Sequence, residues 1–264
     1  MIIWIASYPK SGNTWLRAII SALETDGKFN LNAFEKIFPF PPQSVFKKLT
    51  KNTNNIQEIK KYWIKAQDLI NLDGKTKFIK THNLNCEIDG YRFTDMKNTL
   101  GAIYIVRDPR NVLISLSHFF DESLEESKKK LMKQLIYSGE KEVITPVGSW
   151  SQNYNSWKKM PNLHLLKYEN LLENTYEEIE KIILFLRKIN NFNKKIDINK
   201  IIETTSFDKL KSLEQNKILN LKVKEDRNFF NLGKKNIWQN HLKKEIVNDI
   251  NEKYEIEMRE LGYL

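Results

Sequence analysis

The chain has 264 residues, 41% of them hydrophobic, which is enough for a substantial core, and it carries a net charge of +10. Charged residues make up 29%, and no apolar run approaches the roughly 20 residues that cross a bilayer, so an integral membrane segment is excluded. A single cysteine, Cys86, excludes an internal disulfide framework and fits a reducing cytoplasm, and four scattered histidines offer no metal-ligand spacing.

The chain opens on an apolar run, Ile2–Ser7, that reads as a buried strand and not as a secretory leader, because no basic segment precedes it. It runs into YPKSGNTW, Tyr8 to Trp15, and a helical stretch, Thr14–Leu23, follows. Strand, glycine turn and new helix together make an anion cradle. Backbone N–H groups converge, the helix contributes its positive end, and Lys10 adds a full charge. This is not the Walker loop, which needs a longer glycine-bracketed turn before its lysine; here Lys10 precedes Gly12. Taken alone, the stretch is equally an ordinary strand–turn–helix with a surface lysine.

Phe38–Phe46, with Pro39, Pro41 and Pro42, is expected to be a loop. Ile56–Leu72 has helical periodicity, with Ile56, Ile59, Trp63 and Ala66 on one face. A second strand, Lys77–Lys80, leads to Thr81 and His82, and a third, Ala102–Val106, leads to Arg107. Asp108 is placed to cap the next helix, with Pro109 in its first turn and Ser115 two turns in. Glu122–Pro146 is highly charged and is either a lid or a surface insertion; its lysines, such as Lys128, Lys129 and Lys130, fit a solvated face. A fourth strand, His164–Lys167, ends at Tyr168. Amphipathic helices follow at Tyr176–Ile189 and Leu242–Leu261.

Strands alternating with helices predict an α/β fold with a parallel sheet covered on both faces, three layers in one domain over residues 1–264. Ligands of such sheets bind outside the carboxyl ends of the strands. Two lysines, an arginine, a histidine and several hydroxyls then meet at one crevice, a site for a ligand with several negative charges. A carboxylate pair for magnesium is missing, since only Asp108 follows the third strand, so lysines are left to neutralise charge on a transferred group. No zinc finger, RNA-binding aromatic motif or reliable helix-turn-helix pattern favours nucleic acid as the partner of the +10 charge.

At these residues the chain resembles the sulfotransferases that use 3′-phosphoadenylyl sulfate (PAPS). YPKSGNTW is similar to the family's 5′-phosphosulfate loop, YPKSGTTW, with Asn13 in place of the first threonine. FIKTHNL, Phe78 to Leu84, resembles the segment that carries the catalytic histidine, and RDPRNVLISLSHFF, Arg107 to Phe120, the 3′-phosphate motif. GSWSQNYNSW, Gly148 to Trp157, LLKYENLLEN, Leu165 to Asn174, and TTSFDKL, Thr204 to Leu210, are similar to further family segments.

The resemblance implies a P-loop-like sulfotransferase fold and sulfuryl transfer from PAPS to a hydroxyl or amine of a small molecule or glycan, without a metal. It implies that His82 is the base, that Lys10 meets the phosphosulfate and the leaving oxygen, and that Lys80 steadies the sulfuryl group. Ser11, Gly12, Asn13 and Thr14 would hold the 5′-phosphate, and Arg107 and Ser115 the 3′-phosphate. Trp15, Tyr168, Thr205 and Phe207 would surround the adenine, although Trp15 and Phe207 equally suit a core and Thr205 a helix cap. The late nucleotide loop, RKGxxGxW in the family, reads NLGKKNIW from Asn231 to Trp238, so Gly233 keeps its place while Asn231 and Leu232 replace the basic pair and Asn236 replaces the second glycine. Lys234 or Lys235 would have to supply the missing charge. Each lost charged hydrogen bond costs on the order of 1.5–3 kcal/mol. The family's C-terminal dimer motif is absent from Gln239–Glu252, and hardly any chain precedes the first strand to build a substrate wall. Two rivals stay open on the residues alone: a kinase-like phosphotransferase on the same sheet, and a polyanion binder without catalysis. Phe40, Phe119, Phe120 and Trp150 are candidate acceptor aromatics.

Overall fold

A computed structural model describes residues 1–133, 135–137, 143–190, 192–219, 221, 228–230, 233 and 237–264. Asn231, Leu232, Lys234, Lys235 and Asn236 lie outside the described residues.

The central sheet is wholly parallel, with order β2-β3-β1-β6-β9. Its strands are β1 (Ile2–Ala6), β2 (Pro39–Phe40), β3 (Lys77–Thr81), β6 (Thr99–Val106) and β9 (Leu163–Lys167), while β4 (Glu87–Ile88) and β5 (Tyr91–Arg92) form a separate hairpin. Side chains of a strand alternate between faces, and the two central strands divide accordingly. Ile2, Trp4 and Ala6 of β1 and Ala102, Tyr104 and Val106 of β6 enter one core; Ile3, Ile5, Ile103 and Ile105 enter the other. This double burial explains why both strands read as continuous apolar runs.

Helices cover both faces. On one lie α1 (Asn13–Glu24), through Leu16, Ile19 and Leu23, and α10 (Thr175–Asn190), through Ile179, Ile182 and Leu186. On the other lie α5 (Trp63–Ile70), α6 (Pro109–Phe120) and α8 (Trp150–Trp157), around an aromatic cluster of Trp4, Phe40, Phe93 and Trp157. Asp108 caps α6 by accepting from Arg110 N–H at 2.9 Å, and Pro109 occupies the first turn, as the sequence predicts. The three-layer α/β architecture is therefore the one expected, with all four long strands found within a few residues of their predicted bounds. Among the described residues no helix is long and apolar enough to cross a membrane.

Three expected elements are corrected. Phe38–Phe46 is not a loop throughout, since Pro39–Phe40 pairs with Lys80–Thr81 as an edge strand, where a proline without an N–H is tolerated, and α3 (Gln43–Leu49) starts just after. Ile56–Leu72 is not one helix: α4 (Ile56–Ile59) passes through a 3₁₀ turn, Lys60–Tyr62, before α5, and Leu72 is exposed beyond its end. Leu242–Leu261 breaks at Tyr254 (φ −121°, ψ 22°) into α13 (Lys244–Lys253) and α14 (Glu255–Glu260), so that Ile250, Tyr254, Met258 and Leu261 all still reach the core. In the charged segment, α7 (Leu124–Met132) packs through buried Leu131, and β7 (Leu135–Tyr137) pairs with β8 (Thr145–Gly148).

Gly101 of β6 has no room for a side chain, since an added Cβ stands 2.5 Å from the Asn162 carbonyl oxygen. We expect Gly101→Ala to lower unfolding stability by about 1–3 kcal/mol, read as a lower urea midpoint; an unchanged midpoint would show that the strand end can shift to make space.

Candidate active site

The parallel register fixes which strand ends meet. Ala6 is level with Thr81, so Ser7 stands beside His82; Val106 is level with Lys167, so Arg107 stands beside Tyr168. Both juxtapositions are realised. His82 Nδ1 lies 2.7 Å from the Ser7 carbonyl oxygen and 3.1 Å from Ser7 Oγ, and the Arg107 guanidinium sits 4.2 Å over the Tyr168 ring. A carbonyl can only accept, so Nδ1 carries the proton and Nε2 is left with a lone pair.

Above these ends lies a cavity of about 910 Å³. Its wall includes Lys10, Gly12, Asn13, Thr14, Trp15, Lys80, His82, Arg107, Ser115, Tyr168, Phe207 and Gly233, and among its described lining residues there is no carboxylate. Two expected site residues are not on this wall. Ser11 is buried beneath it, with an Oγ that has no hydrogen-bond partner. Thr205 is buried at the end of α11 (Ile198–Thr205), where its hydroxyl donates to Ile201 O at 2.8 Å, so its side chain is spent inside the helix. Lys234 lies outside the described residues. Of the candidate acceptor aromatics, Phe40 and Phe119 line the cavity; Trp150 is core, and Phe120 packs against Lys130 instead.

The Tyr8–Trp15 stretch turns between β1 and α1 at Gly12. Gly12 (φ 103°) caps α1 without a side-chain hydrogen bond, so first-turn N–H groups are left for a ligand. A Cβ at Gly12 would stand 2.5 Å from the Tyr168 ring, which glycine alone avoids. Trp15 meets Tyr168 edge-on at 5.8 Å, and Gly233 lies against the Phe207 ring. The buried Arg107 Nε and Trp15 Nε1 lack partners among the described residues. Unsatisfied buried donors beside a wall of cations are what a multiply charged, ring-bearing anion would complete.

Crowded positive charge shifts the titrating groups. Burial, then Arg107 and Lys80, bring Lys10 down to about 7 against a smaller upward pull from Glu214, and its ammonium lies 4.4 Å from the Phe119 ring centroid and 3.8 Å from that of Phe229. Burial, then Lys80, hold His82 well below the usual imidazole value, so the ring is neutral near pH 7.

Sequence reasoning did not single out three side chains here. Ser7 orients His82. Asn153 of α8 donates to the His82 carbonyl at 3.0 Å and to Val147 O at 2.8 Å, and accepts from Tyr104 OH at 2.9 Å. Arg17 of α1 lines the cavity. Ser7 follows a strand and Asn153 sits in a quoted motif, but only the register shows what they hold. Among the described residues no His, Cys, Asp or Glu cluster of three could hold a metal ion.

Comparison with known proteins bears on this geometry. The sulfotransferase domain model matches residues 2–262. The chain is 26% identical to flavonol 3-sulfotransferase of Flaveria bidentis over 94% of its own length and 78% of that protein's. It is 27% identical to human sulfotransferase 1E1, covering 97% and 83% respectively. Among solved structures it is similar to retinol dehydratase in complex with androsterone and PAP (TM-score 0.63, 16% identity, 97% of this chain and 80% of that one). It is also similar to mouse SULT7A1 complexed with PAP (TM-score 0.59, 19% identity, 98% and 84%).

In proton NMR the His82 ring should titrate with a midpoint below 6.5, because desolvation and neighbouring cations oppose its protonation. A midpoint above 6.5 would mean that an anion, not the lysines, governs its surroundings. With a sulfotransferase domain matched across nearly its whole length and the corresponding fold beneath it, the chain belongs to the sulfotransferase-domain family.

Proposed function

We propose that this sulfotransferase moves a sulfuryl group from PAPS to the hydroxyl of a small-molecule or glycan acceptor, with His82 as general base and residues 1–264 acting as one domain. The observation that carries this reading is the placement of His82, held at Nδ1 by the Ser7 carbonyl, in the wall of a cavity that also holds Lys10 and Lys80. His82 Nε2 takes the acceptor's proton as the acceptor oxygen bonds to sulfur. The bond from sulfur to the bridging phosphate oxygen breaks, and adenosine 3′,5′-bisphosphate (PAP) leaves. Lys10 and Lys80 neutralise charge on the sulfuryl oxygens and the departing phosphate, a preorganised electrostatic contribution in a site partly shielded from water.

On this reading Ser11, Gly12, Asn13 and Thr14 offer donors to the 5′-phosphate, and Arg107 and Ser115 take the 3′-phosphate. Trp15, Tyr168 and Phe207 hold the adenine, with Gly233 beside Phe207. The Thr205 hydroxyl, which donates to Ile201 O, is left out of this role. The structural relatives support the donor, since retinol dehydratase and mouse SULT7A1 were both solved with PAP. A cytoplasmic location belongs to the same reading; one relative, from Arabidopsis thaliana, is named a cytosolic sulfotransferase.

Two outcomes check this. His82→Ala should lower kcat by about 10²–10⁴ while PAP affinity by calorimetry stays within a few-fold; wild-type turnover would remove His82 from the base role. Arg107→Ala should instead weaken PAP binding at least ten-fold, and an unchanged affinity would place the 3′-phosphate elsewhere.

Lys10 gives a pH signature. Its amine is half-protonated at about pH 7 in the free protein, and a bound phosphosulfate or phosphate raises that value. Affinity for PAP is therefore fully present below pH 7 and falls as pH rises above it, and binding at pH 8 takes up protons. Calorimetry in buffers of different ionisation enthalpy measures the uptake; proton release at pH 8 would contradict the assignment.

A further inference from the structure

Arg17 is a cation for which sulfuryl transfer, as described, has no use. It is half-buried on α1 and lines the cavity. Its Nη2 donates to Phe34 O at 3.1 Å, and the guanidinium lies 4.1 Å from the centroid of the Phe34 ring. Its Nε is sealed from solvent with no hydrogen-bond partner, and no ion pair to it exists among the described residues. Burial lowers its pKa to about 10. A purely structural arginine brings its counter-ion with it, because an unpaired buried charge is costly. The described lining of the cavity it faces holds no carboxylate, and Arg17 is one of the groups that hold down the His82 pKa.

Direction matters as much as charge. Successive residues of a helix turn by about 100°, so Arg17 points some 200° away from Trp15. Trp15 faces Tyr168 on the β6–β9 side, where the nucleotide residues gather. Arg17 faces Phe34 of α2 (Leu31–Lys36), the helix that leads into the apolar wall Phe38, Pro39, Phe40, Pro41 and Val45 beyond β3. The cation therefore shares the cavity with His82 and stands beside the apolar surface that this wall provides.

We propose that Arg17 recognises an anionic oxygen group, a carboxylate or one of its size, on an acceptor whose hydroxyl lies on an apolar body. The acceptor class is then hydroxylated organic acids. This rests on the sulfotransfer reading and adds to it the charge of the acceptor.

The test uses the full chain loaded with PAP and titrated calorimetrically with 3-(4-hydroxyphenyl)propionate and with the corresponding neutral propionamide. The acid should bind on the order of ten-fold more tightly or better, as a charge-assisted hydrogen bond to arginine provides. In Arg17→Gln the preference should collapse to about one while PAP affinity is kept, and Arg17→Lys, which keeps the charge, should restore part of it. An acid that binds no better than the amide to the wild-type chain, whether both bind or neither does, overturns the proposal. So does a preference that survives in Arg17→Gln, or a loss of PAP affinity there without a change in the preference, which would assign Arg17 to the donor. Failure of the wild-type chain to bind PAP at all would instead strike the sulfotransfer reading itself, and is seen before any acceptor is added.

Discussion

Like-charge crowding governs this molecule. Lys10, Arg17, Lys80 and Arg107 face one cavity whose described lining holds no carboxylate, and two imidazoles, His82 and His118, join them. Such an arrangement costs folding free energy, because buried cations repel and lose water. It persists because the rest of the chain leaves it no relaxation. Parallel hydrogen bonding aligns the ends of β1, β3, β6 and β9, and each end delivers its polar residue to the same rim. Aromatic rings absorb part of the strain, with Phe119 and Phe229 flanking Lys10, Tyr168 beneath Arg107 and Phe34 beside Arg17. Ring faces attract cations without neutralising them, so the attraction for an anionic ligand is retained.

The same cavity disfavours a charge on His82. Burial, then Lys80, oppose its protonation, where neighbouring carboxylates would favour it. Its orientation comes from backbone and neighbours together. Ser7 O accepts from Nδ1, Asn13 Nδ2 reaches Ser7 Oγ at 3.2 Å, and Asn153 pins the His82 carbonyl. Asn13, which stands where the family motif has threonine, thus braces the residue that orients the His82 ring. Glu214 shows a complementary economy, since its carboxylate accepts from the Phe229 and Phe230 N–H groups and so holds those rings over the cavity from outside its lining.

Much of this was legible in the residues. Strands buried on both faces leave unbroken apolar runs, so β1, β3, β6 and β9 could be read, and parallel topology alone then predicts that Lys10, His82, Arg107 and Tyr168 share a rim. Short elements were not legible. Pro39–Phe40 becomes a strand only because β3 offers an edge, and the helix beginning at Lys244 breaks at Tyr254 although the i, i+4 spacing of Ile250, Tyr254 and Met258 reads as one continuous face. Thr205 matched a motif yet spends its hydroxyl on Ile201, a local bond that no spacing reveals.

The sequence by itself determined the layer architecture, the phosphate loop and the kinds of charged group at the strand ends, because period, glycine placement and motif order are properties of the chain. Only the tertiary structure decided that Ser7 sets the His82 tautomer, that Asn153 holds its backbone, and that Arg17 lines the cavity with its Nε unpartnered among the described residues. Tautomer, pKa and pairing depend on what lies within a few ångströms in space, and Ser7, 75 positions from His82 in the chain, and Asn153, 71 positions from it, supply those neighbours here.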